Sequence, residues 1–508
     1  MTSSTSQPTT SARTASFLAA CAVALVSGTP YLYSTYANQL TTKLALTAVQ
    51  SSLVAAGVHY GLFLSGPLFG RIVDSQGPRT VGCLAAALLV AGYSGLSWTY
   101  SGAFGSFGFF TAFLFLILVG MGSQAGYMTS VSTNAHNFQS ARGIAMGVPI
   151  AGFGLSALLF AQISSHWYKD DTQAFLFLVA KAIGSTILIS LIFLKVFPSE
   201  DLEATKDQES IAHATGSSSS SSSSSSLDDD DITEEEAEHR RRTAELERLI
   251  APKHDNSASH GHSSSHAIVP KSLSGFKMFR MTHHAQLLML GTMLLSGPGL
   301  MYITNAGNVI RSIYRDHMDD PSKPPTDEDL IRLQQLQNFH VSLISLMSCI
   351  GRISIGMMSD LGKRGGGKWW GISRVGFLLY AGVCVWLGQT FGARVQDIED
   401  LVRVSLLVGL GYGSVFGVAP AIVSEWFHVS NFGTNWGWMS VTGAIGGQVF
   451  NLIFGWLYDV EAQHEHTLEC FGTECFHKSF VVGSISSFIG LSVLIYLAIL
   501  TRRPSSRC

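Results

Sequence analysis

Residues able to do chemistry are sparse inside the apolar blocks of this sequence, so those few are weighed first. His59, Lys181 and His340 each interrupt a long apolar run. An ionisable side chain held at depth in such a run is costly and marks either a functional site or a satisfied structural contact. His59 stands about nine residues into its block, so about 13 Å deep at ~1.5 Å of rise per residue. It could take and release a proton near neutral pH. Lys181 has a stem long enough to snorkel its ammonium outward. A second group carries hydrogen-bonding tips: Tyr31, Tyr33, Gln124, Tyr127, Tyr302, Asn305, Asn308 and Tyr412. Each could bind a polar solute or a neighbouring helix, because polar groups removed from water must find partners. A third group lies where apolar blocks meet polar loops. GRIVDSQGPR holds Gly70, Asp74, Gly77 and Arg79; RGIAMG opens on Arg142; GMMSDLGKR holds Gly356, Asp360 and Arg364. A carboxylate at such a place can accept from backbone N–H groups at a helix N-terminus, or pair with an arginine such as Arg142.

No catalytic constellation competes with this reading. HExxH, GxxxxGK[ST] and a hydrolase elbow are all absent from the sequence. GYGSVFG (Gly411–Gly417) lies within an apolar run with no strand before it, so it reads as close helix packing and not as a nucleotide loop. An enzyme is not expected, and neither is a cofactor. Cys470 and Cys475 share the short loop CFGTEC, where a disulfide is expected if the loop faces an oxidising compartment. His464, His466 and His477 lie nearby, but the paired spacing of a zinc site is missing, so no metal is expected.

The elements that position these residues follow from composition. Hydrophobic residues make up 47% of the chain and charged residues only 13%, against about 25% charged in soluble proteins. The apolar residues come in blocks long enough to cross a bilayer, which takes about 20 residues. The spans are expected near Ala15–Ala37, Gln50–Ile72, Thr80–Trp98, Ser106–Val131, Gly143–Ser165 and Thr172–Val196. The second set is His284–Gly307, Gln337–Met358, Gly371–Phe391, Leu401–Val423, Trp436–Leu457 and Phe480–Leu500. The expected fold is an all-α integral membrane protein of twelve helices in two six-helix bundles, residues 15–197 and 284–500, surrounded by membrane lipid. A net charge of −3 gives no reason to expect nucleic acid.

Between the bundles, residues 198–283 contain an unbroken serine run and then DDDD, EEE and RRR. Such a stretch cannot bury enough apolar surface to fold alone and reads as a disordered linker. Within it Glu245, Leu249 and Ile250 fit the acidic dileucine form that sorting adaptors read on the way to vacuole-like compartments. Lys195, Lys271, Lys277, Arg71, Arg79, Arg142, Lys363, Arg364 and Arg502 gather on one side of the spans. By the positive-inside rule the linker, the 1–14 tail and the 501–508 tail are expected in the cytosol.

The halves also look related. SGTPYLY in the first span answers SGPGLMY in the seventh, GRIVDSQGPR answers GMMSDLGKR, and RGIAMG answers FGTNWG, all in the same order. Parallel repeats of this kind characterise one large class of secondary transporters. GRIVDSQGPR fits the loop pattern G-x-x-x-D-x-x-G-x-R of the major facilitator superfamily, in the place where that superfamily carries it. SGTPYLYSTYANQL, TSVSTNAHNFQSARGIAMGVPIAGFGLSALLFAQI and SGPGLMYITNAGNVI resemble its nodulin-like branch, and within it the fungal monocarboxylate-transporter homologues. The resemblance implies rocker-switch movement of a small solute, with a coupling proton as a candidate partner. It also implies a cytosolic gate at Gly70, Asp74, Gly77, Arg79, Arg142, Gly356, Asp360 and Arg364, a cavity lined by His59 and the tyrosines and amides above, and a vacuolar membrane. One departure stands out. The eighth span lacks the mid-span acid that monocarboxylate carriers pair with an arginine, and its Arg352 falls toward the cytosolic end. The alternative of a different class is a non-transporting membrane sensor or scaffold that signals through its linker.

Overall fold

The computed structural model describes residues 10–46, 48–168, 171–197, 274–318, 326–364, 373–427, 429–464 and 470–502. Among them the chain forms twelve long helical spans. Span 1 is Thr10–Ser27, followed by a 3-10 turn and the shorter helix Tyr33–Lys43; span 2 is Ala48–Leu64 continued as Gly66–Gln76. Spans 3 to 6 are Pro78–Tyr100, Gly108–Asn137, Arg142–Trp167 and Thr172–Phe193. Spans 7 to 9 are His283–Asp316, Asp327–Arg364 and Arg374–Gly392, and spans 10 to 12 are Leu401–Trp426, Phe432–His464 and Glu474–Arg502. Eleven of these are long and apolar enough to cross a membrane. Span 11 is the exception, because Gly443, Gly446, Gly447, Gln448 and Asn451 dilute its hydropathy. The fold explains the dilution: span 11 runs along the seam between the halves, against spans 2 and 7.

Two boundaries differ from the sequence expectation. Span 1 starts at Thr10, inside the expected tail, with Ser16 fully buried and its hydroxyl donating to the Lys195 carbonyl at 2.8 Å. The end of the expected linker is ordered: Phe276–Met281 is helical, Met278 and Phe279 are buried, and the Gly275 N–H donates to Asn435 Oδ1 at 2.8 Å. Two apolar side chains and one capped amide suffice to dock this segment on span 11. The dileucine residues Glu245, Leu249 and Ile250 and the Arg364 side chain lie outside the described residues.

Local chemistry accounts for the interruptions. Span 1 breaks where Gly28 and Pro30 fall together; a Cβ at Gly28 would stand 1.8 Å from the Phe153 carbonyl oxygen, so only glycine lets spans 1 and 5 meet there. Pro298 in span 7 has no N–H for the carbonyl four residues earlier. That orphan, Leu294 O, accepts from Ser486 Oγ at 3.1 Å, and the Pro298 carbonyl accepts from Gln389 Nε2 at 3.0 Å. The kink is thereby satisfied by spans 9 and 12.

Candidate functional site

The halves are joined at one end by two helix pairs, spans 2 with 11 and spans 5 with 8. Each contact is set by glycines spaced one turn apart. A Cβ at Gly70 would lie 2.1 Å from Gly433 O, and one at Gly66 would lie 2.8 Å from Gly437 O. In the other pair, a Cβ at Gly143 would lie 2.3 Å from Gly356 O and one at Gly147 2.6 Å from Arg352 O. Backbones this close leave no room for a side chain, and small residues are what permit such approach between membrane helices.

Each seam ends in a carboxylate that caps the opposing helix. Asp74 accepts from the Gly433 and Thr434 N–H groups, at 2.8 and 2.6 Å, at the start of span 11. Asp360 accepts from Gly143 and Ile144, at 2.9 and 2.8 Å, at the start of span 5. A carboxylate at a helix N-terminus meets both unpaired donors and the positive end of the helix dipole. The two caps bind each half to the other at this end, which the sequence reading expected to be the gate end.

The caps are unequal. Arg374, at the start of span 9, reaches Asp360 at 2.8 Å, Glu425 at 2.9 Å and Ser359 Oγ at 2.8 Å. Arg142 joins the same cluster through the Ser424 carbonyl at 3.1 Å, and not Asp74 as the sequence reading allowed. The chain path decides this, since Arg142 opens span 5, which packs on span 8, while Asp74 lies on the span 2–11 side. Asp74 has only its backbone amides and Thr434 for partners among the described residues. Arg79 turns away from the seam, with Nε donating to Leu194 O at 2.8 Å, and ties span 3 to span 6. Gly77 takes φ 85° at the turn between spans 2 and 3, a conformation that favours glycine, and touches nothing in the other half.

At the middle of the seam lies a cation that sequence reading put toward the cytosolic end of its span. Arg352 is only two turns above Asp360, about 12 Å by helix rise, but its side chain points into the protein and is 6% exposed. Nη1 donates to Ile150 O at 2.9 Å, while Nε is buried without a hydrogen-bond partner. The guanidinium fits because residue 154 is glycine; a Cβ there would stand 2.1 Å from Nη1. Tyr31, Tyr127 and Tyr412 all lie within electrostatic reach of its charge. Phe153 packs edge-on to Tyr31 and Tyr127, and Phe416 packs on Tyr412. Trp436 Nε1 donates to Tyr127 Oη at 3.2 Å across the halves, and Gln124 reaches Ser440 at 3.5 Å nearby. Three of the predicted cavity tyrosines thus converge on a buried arginine. Counting helix turns back from Asp360 would have revealed Arg352's depth, but only the fold shows which way it points.

Toward the far end, spans 2 and 11 diverge around a cavity of about 360 Å³ bounded also by span 7. Its polar lining is His59, Tyr60, Thr304, Gln448 and Asn451. His59 stacks on Phe63, and its Nδ1 lies 3.3 Å from Ala55 O. Asn305 donates to Asn451 Oδ1 at 2.8 Å at the edge of this space.

Other predicted residues are placed elsewhere. Asn308 is exposed, and Tyr33 packs edge-on to Tyr36. Tyr302 leaves the seam and is 1% exposed inside the C-terminal half, sharing the Ser405 hydroxyl (2.6 Å) with His340 Nδ1 (2.9 Å). Tyr302→Phe is therefore expected to lower stability by about 1 kcal/mol, the net worth of one hydrogen bond, and to leave solute movement unchanged. Thermal unfolding and uptake on the same sample check this; an uptake defect without destabilisation would put Tyr302 on the solute path.

At the far end Cys470 and Cys475 are disulfide-bonded. Their loop grips the end of span 7: the Gly472 N–H donates to Ser312 O at 3.1 Å and the Arg315 guanidinium lies 4.6 Å from the Phe471 ring centroid. No group of three or more metal-ligating side chains occurs among the described residues. His317, just beyond span 7, bonds Asp397 at 3.2 Å. Its Ile313 carbonyl partner, and then Asp397, raise its pKa above the usual 6.5. A raised pKa means the contact is fully present below the unfolded value and is lost as pH climbs through the folded one. Hydrogen exchange of the loop around Asp397 is expected to quicken from acid to alkaline pH. A rate that follows only the intrinsic chemical dependence, with no added step, would contradict this.

Residues 13–220 match the family described as Nodulin-like. The chain is 26% identical to the probable transporter mch1 of Neurospora crassa over 96% of this chain and 89% of that protein. It is 27% identical to an uncharacterized membrane protein of Saccharomyces cerevisiae over 87% and 86% of the two. Among solved structures it resembles the proton:xylose symporter XylE, with TM-score 0.58, 12% identity and coverage of 94% and 95%. It also resembles FucP in the outward conformation, with TM-score 0.52, 10% identity and coverage of 96% and 99%. The last two likenesses concern the fold alone, which is that of the major facilitators.

Proposed function

We propose that this chain, whose residues 13–220 match the Nodulin-like family and whose fold is that of the major facilitators, is a secondary transporter carrying a small organic anion by rocker-switch exchange of access. The observation that carries the anion is Arg352. A guanidinium buried between the halves, with one N–H unbonded and three tyrosines around it, offers a carboxylate charge-assisted hydrogen bonds where no water competes. A monocarboxylate suits the site through this arginine alone, without the mid-span acid of the true monocarboxylate carriers. The relatives named as probable transporters support the transport reading.

In this reading the Asp74 and Asp360 caps are the cytosolic gate, and they separate when the halves rock. The Cys470–Cys475 disulfide at the opposite end suits an oxidising compartment, which agrees with a gate end, linker and termini in the cytosol. We place the protein in the vacuolar membrane, delivered by an adaptor that reads the dileucine residues of the linker. The test is uptake into proteoliposomes from a panel of carboxylates and size-matched neutral solutes, with Asp74→Asn alongside. Saturable uptake of carboxylates, reduced in the variant, is the expected result. Absence of uptake across the panel from folded protein would favour a membrane sensor of the same fold.

A further inference from the structure

We infer that His59 is the group through which a proton is coupled to solute movement. The inference rests on the transport reading above and assigns it a second site, apart from Arg352. Three observations carry it. First, the imidazole lines a cavity whose walls come from both halves: span 2 from one, spans 7 and 11 from the other. Rocking must therefore change its surroundings. Second, it lies eleven residues from Gly70 along span 2, about 16 Å, which is near the middle of a hydrocarbon core about 30 Å thick. A group at that level can face either side in turn. Third, no other charge competes for control of it. Span 7 contributes Leu300 and Thr304, and span 11 contributes residues from Ala444 to Asn451, of which Gln448 and Asn451 are neutral amides. From span 4 the neighbouring stretch meets Phe113, Ile117 and Met121. Its own helix adds the Tyr60 phenol and Phe63. Among the described residues no carboxylate, lysine or arginine lines the cavity, and none acts on the imidazole.

With no fixed charge nearby, hydration alone decides whether the imidazole can hold a proton. An imidazolium is tolerated while the cleft is wet and is expelled when apolar walls close on it, because desolvation disfavours the charged form. Water on the far side supplies the proton while the cleft is open. Closure presses Leu300, Ile445 and Val449 toward the ring as the gate end opens, and the proton leaves to water on the gate side. One proton moving with one monovalent anion leaves no net charge transferred, so the membrane potential does not oppose the step.

The experiment compares wild type with His59→Gln in proteoliposomes, with and without an imposed pH gradient, on a carboxylate that the wild type takes up. Wild-type uptake should accelerate several-fold with the gradient, while uptake by His59→Gln, whatever its absolute rate, should not respond to the gradient. Gradient-driven uptake retained in His59→Gln would overturn the inference and leave the transport reading intact. A second measurement needs no solute: titration of histidine-labelled protein by NMR, with His59→Gln identifying the resonance. The missing resonance should move between its neutral and protonated positions as pH is swept, as a hydrated imidazole does. An imidazole that stays in one form throughout would rule out the assignment even if no solute were ever found.

Discussion

Replacing Arg352 by glutamine should cut carboxylate uptake by at least about thirtyfold while the protein remains folded. Losing one partner of a buried hydrogen-bonded charge pair costs roughly 2–5 kcal/mol, and each ~1.4 kcal/mol is about a factor of ten. The loss falls on the bound complex, because in the empty protein the direct hydrogen bond surrendered among the described residues is to Ile150 O, a carbonyl within the continuous helix of span 5. Arg352→Lys should fall between, since it keeps the charge but not the planar fork that meets both carboxylate oxygens. Gly154→Val should mimic the glutamine variant from the opposite wall, because its Cβ would occupy the position of Nη1. Concentration-dependent uptake in all three, with thermal unfolding as the control, separates a binding defect from misfolding. Wild-type apparent affinity in Arg352→Gln would refute the anion site.

Arg374→Ala should damage the protein more than Asp74→Asn, although sequence pattern singles out Asp74. Arg374 and Asp360 are each 6% exposed as side chains and Glu425 is 19% exposed, so removing the arginine takes a buried cationic partner from two carboxylates. Breaking a buried pair in this way costs about 3–5 kcal/mol. At Asp74 the interaction at risk is with helix-end amides and dipole, worth about 2 kcal/mol at most. The expected outcome is a clearly lower unfolding temperature and a loosened gate for Arg374→Ala, and a gate that opens more often in otherwise stable protein for Asp74→Asn. Alkylation of a thiol introduced as Ser359→Cys reports opening on the span 5–8 side, and one introduced as Thr434→Cys reports it on the span 2–11 side. Equal destabilisation by the two variants would show that Arg374 does not carry the cluster.

The sequence by itself determined the membrane class and the repeated halves, because spans are set by local hydropathy and a polar backbone in lipid has little choice but helix. It also located Asp74 and Asp360, since a carboxylate at the loop end of a span has few roles other than capping. Span 11 was read from its apolar block at Trp436–Leu457, although its glycines and amides serve the seam and so lower the hydropathy that announces a span. What the sequence left open was direction. Arg352, Tyr31, Tyr127 and Tyr412 come from spans 8, 1, 4 and 10, and nothing local states that they converge. Tyr302, chosen on the same grounds as those tyrosines, faces Ser405 inside its own half instead. Arg79 and Arg374 both stand at the start of the third span of their half, yet one reaches a backbone carbonyl and the other a carboxylate pair. Which way a side chain turns on a helix depends on the rotation and tilt at which neighbouring helices pack. That is decided by glycine contacts between segments hundreds of residues apart, as between Gly70 and Gly433, and so only in the tertiary structure.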